Sequence, residues 1–428
     1  MNIYIETYGC SENQAESEIM AGILTKSGYN IVRKIEDADL AVLNTCYVKS
    51  VTEQKIFYRI GEIQKVYPDK KMVIAGCISS AAPERLVEIA PSASLLSTHK
   101  ITKIGQVVKK TLEGKRVEEV GEEEDVKLLL PKIRINPIID IVPISSGCSG
   151  ACSFCATKIA KGNVVSYPSG KILDEIRIAV KGGCKEIWLT SQDTGAYGMD
   201  KGERSLPRLL KWITSLDGKF FVRLGMINPD HVNKMLIELI EAYNSKKMYK
   251  FLHAPVQSGD NEILKKMLRP YFVEEFKEIV DEFRKAYRMT IWTDVIVGFP
   301  EETEEQFKRT LELIKETKLD WVNISRYAMR PGTKAAELEQ LPTDIVKERT
   351  RKLTNIVNIA AHERNREWIN WEGEILISEK GKKNGQWIGR NFAYKPVIIN
   401  KSGDLLGKII KVKIIDAIPT ALEGWPIK

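Results

Sequence analysis

The stretch ISSGCSGACSFC, residues 144–155, decides the reading of this chain. Its three cysteines, Cys148, Cys152 and Cys155, stand at C-x3-C-x2-C spacing directly after an apolar run around Ile141. That spacing holds three thiolates on one tight loop. A cubane [4Fe–4S] cluster ordinarily takes four cysteines, so three would leave one iron open to substrate; zinc or a redox dithiol is the alternative. The loop follows the first strand of a βα series. Further strands are expected near Glu186, Phe220, Phe251, Ile291 and Trp321, with helices over residues 171–181, 206–215, 231–243, 273–287 and 303–316. Six βα units with right-handed crossovers make an open or partial barrel whose active face lies at the strand carboxyl ends. A helical stretch over 344–368 closes it.

Upstream, residues 1–100 alternate short strands with helices, the pattern of a parallel sheet covered by helices. Strands are expected over 2–7, 40–43 and 72–75, and helices over 13–27 and 51–67. Cys10 in ETYGC, Cys46 in VLNTC and Cys77 in VIAGC each fall two to four residues past one of these strands. Ligand sites in such sheets lie beyond the carboxyl ends of the strands, so the fold gathers all three at one edge. The alternative is three small core residues. The acidic stretch 118–125, EEVGEEED, reads as a solvated linker or hairpin connection.

Downstream of Trp371, short strands separated by glycines predict a small all-β barrel. Residues 372–428 carry a formal charge of +4, and basic and aromatic residues interleave over 380–395. Such mixing suits phosphate contact with base stacking; a solvated basic face is the plain alternative.

Composition narrows the chemistry. The chain has 428 residues, a net charge of +8, seven cysteines and four histidines. An odd cysteine count argues for metal or catalytic use over a disulfide framework, and no histidine has zinc-like spacing to a cysteine. No apolar run approaches the ~20 residues of a bilayer span, and the first residues lack signal-peptide organisation, so a cytoplasmic protein with no membrane partner is expected. Cys184 matches no ligand position and reads as a packed thiol.

With Phe154 before its last cysteine, the loop resembles the defining motif of the radical S-adenosylmethionine (SAM) superfamily. The whole chain is similar to the methylthiotransferase family through ETYGC with Asn13, LNTC, AGC, the cysteine loop, LTSQDTGAYG, PVQSG, DVIVGFPEET and RPGT. LTSQDTGAYG and RLGMINP look like its archaeal and eukaryotic branch, which acts on N6-threonylcarbamoyladenosine 37 of transfer RNA. The resemblance implies an α/β chain in three parts. These are a Rossmann-like N-terminal domain (1–115), then after a linker (116–138) a partial (βα)6 TIM-like radical SAM barrel (139–370), and a small all-β TRAM barrel (371–428). It implies two [4Fe–4S] clusters, on Cys148, Cys152 and Cys155 and on Cys10, Cys46 and Cys77. One SAM would methylate sulfur at the second cluster, and another would supply the radical that takes hydrogen from adenine C2.

Implied partners are the transfer RNA anticodon stem–loop, an electron donor such as flavodoxin or ferredoxin, and a sulfur source. Phe154, Gln192, Asp193, Gln257, Ser258, Asp294 and Gly298 are the expected cofactor contacts, the glycine allowing close approach to adenine. Expected RNA contacts are Lys161, Lys382, Lys383, Trp387, Arg390, Phe392, Tyr394 and Lys395. Lys161 stands where the family often has arginine. It keeps the charge and loses the planar fork. Two other readings remain: methylthiolation of a ribosomal protein side chain, and a non-catalytic iron–sulfur RNA-binding protein.

Overall fold

A computed structural model of the chain describes residues 1–48, 50–121 and 125–427. The first sheet comprises β1 (Asn2–Thr7), β2 (Asn30–Val32), β3 (Leu40–Thr45), β4 (Lys71–Gly76), β5 (Ser94–Ser97) and β6 (Glu118–Glu119). Its order is β2-β1-β3-β4-β5-β6, and every pairing is parallel. β3 is buried along its whole length, as a central parallel strand covered on both faces must be. The ladder runs on through Asn44 and Thr45, which pair with Ala75 and Gly76. Cys46 and Cys77 therefore follow their strands immediately, and only Cys10 stands off by the spacing expected.

The acidic stretch 118–125 is not a free linker throughout. Glu118 and Glu119 add an edge strand to the sheet, and Asp125 accepts a hydrogen bond from Thr102. Residues 122–124 of that stretch lie outside the described residues, as does Lys428 at the chain end.

The middle of the chain holds β7 (Ile139–Pro143), the two-residue pair β8 (Ser145–Ser146) and β9 (Val165–Ser166), then β10 (Glu186–Thr190), β11 (Phe221–Leu224), β12 (Phe251–His253), β13 (Thr290–Val297) and β14 (Trp321–Arg326). Two parallel half-sheets, β11-β10-β7 and β12-β13-β14, meet at a bridge between Val222 and Met248. Along β13 every second residue from Trp292 to Ile296 is partly open while its neighbours are buried, the period of a strand with one face on a lumen. The helix expected over 231–243 is broken into Pro229–Asn233 and Leu236–Ala242, because buried Met235 leaves helical geometry (φ −136°, ψ 21°).

The last sheet is a closed barrel of β15 (Glu372–Lys380), β16 (Gln386–Arg390), β17 (Pro396–Asn400), β18 (Ile409–Ile418) and β19 (Ala421–Pro426). It sits against the amino ends of the central strands. The Lys250 N–H donates to the Phe392 carbonyl (2.8 Å) just before β12. Tyr394 packs on Tyr249 and Phe251, and Leu406 lies against the start of β7. Lys395 places its ammonium 2.7 Å from Asp320, beside β14, and both side chains are almost fully buried.

Breaking a buried pair leaves a desolvated charge. Arg284 and Arg364 remain within 4 Å of Asp320 and soften the loss. Lys395→Met is expected to lower unfolding stability by about 2–3 kcal/mol in urea melts; a change below about 0.5 kcal/mol would show that this pair does not hold the barrel.

Candidate active site

β7 and β8 lead straight into the cysteine loop, whose last residue caps the helix Ala156–Lys161. Here the three sulfurs come within electrostatic reach of one another. Gly150 lies between them, and a Cβ there would sit 3.5 Å from Cys148 Sγ and 3.8 Å from Cys152 Sγ. At the neighbouring sheet edge Cys10, Cys46 and Cys77 likewise feel one another. Gly9 (φ +118°) brings its backbone so near that a Cβ would meet Cys46 Cβ at 2.7 Å. Asn13 Oδ1 accepts from Cys10 Sγ (3.2 Å), and its amide donates to the Thr45 carbonyl (2.8 Å).

Loss of hydration pushes the thiols up: Cys10 to about 11 with Glu12 adding to it, Cys148 to about 12 with Asp193 adding, and Cys77 higher still despite Lys161. A coordinating metal is what deprotonates such thiols.

Four residues grip the cysteine loop. Arg269 Nη1 donates to Cys152 Sγ (3.1 Å) and Nη2 to Asn228 Oδ1. The Asn228 amide reaches Asp193, His231 Nε2 lies 3.3 Å from Asp193, and the same imidazole nitrogen lies 3.2 Å from Ser149 Oγ. Burial works against the Asp193 carboxylate, yet His231 and Asn228 overcome it and hold the group below its ordinary value. Asp193 also accepts from the Gly195 and Asn228 backbones. Fully buried, and partnered within the chain by His231, Asn228 and Gly195, it supports the loop. Sequence reading missed Arg269 and His231. Arg269 lies 114 positions beyond Cys155, and nothing local marks it; His231 stands two residues past RLGMINP, the one nearby signal.

The two cysteine sets meet at one interface. The helix Ala156–Lys161 shares a core with the helix Cys77–Ala81. Ser11, next to Cys10, is 3.0 Å from Thr190 at the end of β10, and Gln192 donates to Glu12. At the centre Lys161 is 2% exposed, its ammonium 3.0 Å from Glu12, 2.8 Å from Glu16 and 2.5 Å from Thr98. Lys127 adds a second cation 2.8 Å from Glu16. Burial would raise Glu16, but Lys127 and Lys161 bring it down to about 2. Lys161, expected as an RNA contact, is thus placed as an interior ion-pair residue.

Other expected contacts divide. Phe154 packs edge-on to Phe299. Gln257 takes φ +71°, and Ser258 Oγ is turned back to the Asp260 N–H. Asp294 accepts from His253 (3.0 Å) and Asn323 (2.8 Å) on adjacent strands, which turns it into the barrel lumen. At Gly298 (φ +75°) a Cβ would lie 2.5 Å from Val346, so packing there also requires glycine. In the last barrel Lys382, Lys383 and Phe392 are exposed, whereas Trp387, Tyr394 and Lys395 are buried and Arg390 is half-buried on Glu379. The basic–aromatic run is largely core and docking surface. Strand alternation turns Trp387 inward, and the central domain covers Tyr394 and Lys395.

Three known families match in succession: the uncharacterized protein family UPF0004 over residues 2–97, the radical SAM superfamily over 142–314 and the TRAM domain over 372–427. A protein of Methanothermobacter thermautotrophicus named "Probable threonylcarbamoyladenosine tRNA methylthiotransferase" is 42% identical over 423 residues, 99% of each chain. The Homo sapiens threonylcarbamoyladenosine tRNA methylthiotransferase is 36% identical, covering 99% of this chain and 74% of that one. This chain belongs to that methylthiotransferase family. It is therefore a transferase with a radical SAM domain, and that domain implies a [4Fe–4S] cluster and SAM; the non-catalytic alternative falls. Two solved structures share the fold at 13% identity. The radical SAM methyltransferase TsrM from Kitasatospora setae has a TM-score of 0.58 over 78% of this chain and 76% of its own. The cobalamin-dependent SAM radical enzyme OxsB has 0.53 over 83% and 56%.

The residues fit the implied groups. Among the described residues no His, Cys, Asp or Glu set is arranged for a single metal ion. Cys148, Cys152 and Cys155 in the radical SAM domain are an all-thiol donor set, which suits the implied cluster with an open iron. Ser145 Oγ and Ser146 Oγ, just before the loop, and Gln192 Oε1, after β10, are buried without a partner among the described residues, as groups waiting on a polar ligand would be. Among the described residues no helix is long and apolar enough to cross a membrane.

Glu16, held near 2 against an ordinary 4.5, contributes stability that is full above about pH 4.5 and lost as pH falls toward 2. Lys161→Met removes one of its two cations and raises that folded-state value. Acid unfolding of the iron-free protein, followed by tryptophan fluorescence, should then begin about 1 pH unit higher; an unchanged midpoint would contradict the ion-pair account.

Proposed function

We propose that the protein methylthiolates C2 of N6-threonylcarbamoyladenosine at position 37 of transfer RNA, with two [4Fe–4S] clusters and two SAM molecules. The observation that carries this is the meeting of two cysteine triplets across one buried ion-pair network. When bound, these groups supply a 5′-deoxyadenosyl radical at one triplet and a methylated sulfur at the other. Adenine C2–H lies beyond acid–base chemistry, so a cofactor must provide the reactive species.

The chain's own residues supply position. Cys148, Cys152 and Cys155 hold one cluster, and Cys10, Cys46 and Cys77 the other. Arg269 and His231 fix the loop that carries the first. Lys161, Glu12 and Glu16 lock the N-terminal domain over it, so that a base entering between them meets both. Ser145, Ser146 and Gln192 offer hydrogen bonds to the bound cofactor. A flavodoxin- or ferredoxin-type donor supplies electrons, and a separate source replaces the sulfur.

Transfer RNA is the favoured acceptor over a ribosomal protein, because the relatives spanning the chain are named for it and a TRAM domain is present. The TRAM barrel sits at the amino ends of the central strands, opposite the cysteine loop, so bound RNA reaches past the barrel wall. Lys382 and Lys383, on an exposed loop, are its phosphate contacts.

Nucleoside mass spectrometry of transfer RNA should show the 2-methylthio form of threonylcarbamoyladenosine with the gene and only the parent nucleoside without it; identical profiles would overturn the reading. Cys152→Ala should stop 5′-deoxyadenosine formation, and persistent cleavage would remove the loop from the chemistry. Replacing Lys382 and Lys383 by alanine should weaken transfer RNA binding and flatten its log–log salt slope by about 2; an unchanged slope would place the RNA contact elsewhere.

A further inference from the structure

The lumen of the central barrel holds a cation, Arg223, that no carboxylate among the described residues neutralises. β11 alternates open and buried residues, with Phe221 and Arg223 half-buried and Val222 and Leu224 fully buried. The Arg223 guanidinium lies 5.3 Å from the ring centres of Trp188 and Phe251 and 5.7 Å from that of Tyr394. These rings come from three different elements and close the floor of the lumen. Among the described residues Arg223 makes no ion pair, and its Nε is buried without a hydrogen-bond partner. Other interior arginines differ: Arg330 pairs with Glu53 and Arg349 with Glu302.

Ring faces attract a cation but accept none of its in-plane N–H groups. Half-buried, with its Nε shut off from water, the guanidinium keeps a donor that an anion would complete. Its planar fork matches a carboxylate, which can accept two parallel bonds. The next layer of the same lumen is polar: Asp294 accepts from His253 and Asn323, with the Asp294 side chain 29% and His253 14% exposed. An aromatic floor carrying an unpaired cation, with a hydrogen-bonding wall beside it, fits a small polar group ending in a carboxylate.

The threonylcarbamoyl substituent is such a group. It joins adenine N6 through a urea and ends in a hydroxyl and a carboxylate. N6 leaves the ring at a wide angle from C2–H, so a base that turns C2 to the cysteine loop directs N6 elsewhere in the cavity. We propose that Arg223 binds the threonyl carboxylate of the substrate base and selects the modified nucleotide, with Asp294, His253 and Asn323 as the polar wall around the urea and hydroxyl. This rests on the threonylcarbamoyladenosine reading of the function.

The test compares anticodon stem–loop RNAs carrying threonylcarbamoyladenosine or its uncharged methyl ester, with the reconstituted holoenzyme. The wild type should favour the acid in kcat/KM by about 10- to 100-fold, the usual worth of a hydrogen bond to a charged group. Arg223→Gln should bring that ratio near one, and Arg223→Lys should leave it between the two. A wild type that methylthiolates acid and ester equally overturns the proposal even if Arg223→Gln fails to fold. So does an Arg223→Gln enzyme that keeps the preference, or one whose only change is a higher KM for SAM. A wild type that modifies neither RNA overturns the functional reading itself and the proposal with it.

Discussion

The ammonium of Lys161 is the constraint on which the candidate site depends. It leaves the helix that follows the cysteine loop and is buried between Glu12 and Glu16, on the helix that follows Cys10. Removing the ammonium alone would leave Glu12 uncompensated and Glu16 with only Lys127 in a dry interface, the costly way to break a buried pair. The cysteine loop and the N-terminal sheet edge are therefore held as one unit. Thr98, Lys127 and Gln192 complete the same network, tying three segments of the first 130 residues to the central barrel.

The architecture was legible because its signals are local. Parallel strands buried on both faces read as apolar runs, and in both α/β domains chemistry-bearing residues follow those runs. Cys10, Cys46, Cys77 and the cysteine loop were accordingly found at strand exits. Cys46 and Cys77 lie closer to their strands than the apolar runs suggested, since polar Asn44 and Thr45 continue the ladder. Backbone pairing, unlike hydropathy, does not stop at the first polar residue.

What the sequence hid is pairing at a distance. Asp193 and Gly298 carry structural partners that no local pattern shows: Asn228 and His231 hold the one, and Val346 packs against the other. Arg269 reaches Cys152 from a segment with no motif. The run from Trp387 to Lys395 has the composition of an RNA surface, but the closed barrel turns Trp387 into its core and the central domain buries Tyr394 and Lys395. A basic residue beside an aromatic one has the same composition whether it faces phosphate or a buried aspartate. Only the partner decides, and the partner is elsewhere in the chain.

The central claim is that two thiol triplets, fixed by one ion-pair network, each hold a cluster. Anomalous diffraction at the iron edge from crystals of the reconstituted protein tests it most directly. The account predicts two separate iron peaks, one on Cys148, Cys152 and Cys155 and one on Cys10, Cys46 and Cys77, with Lys161 between Glu12 and Glu16. A single peak, or two peaks with Lys161 released into solvent, would contradict it.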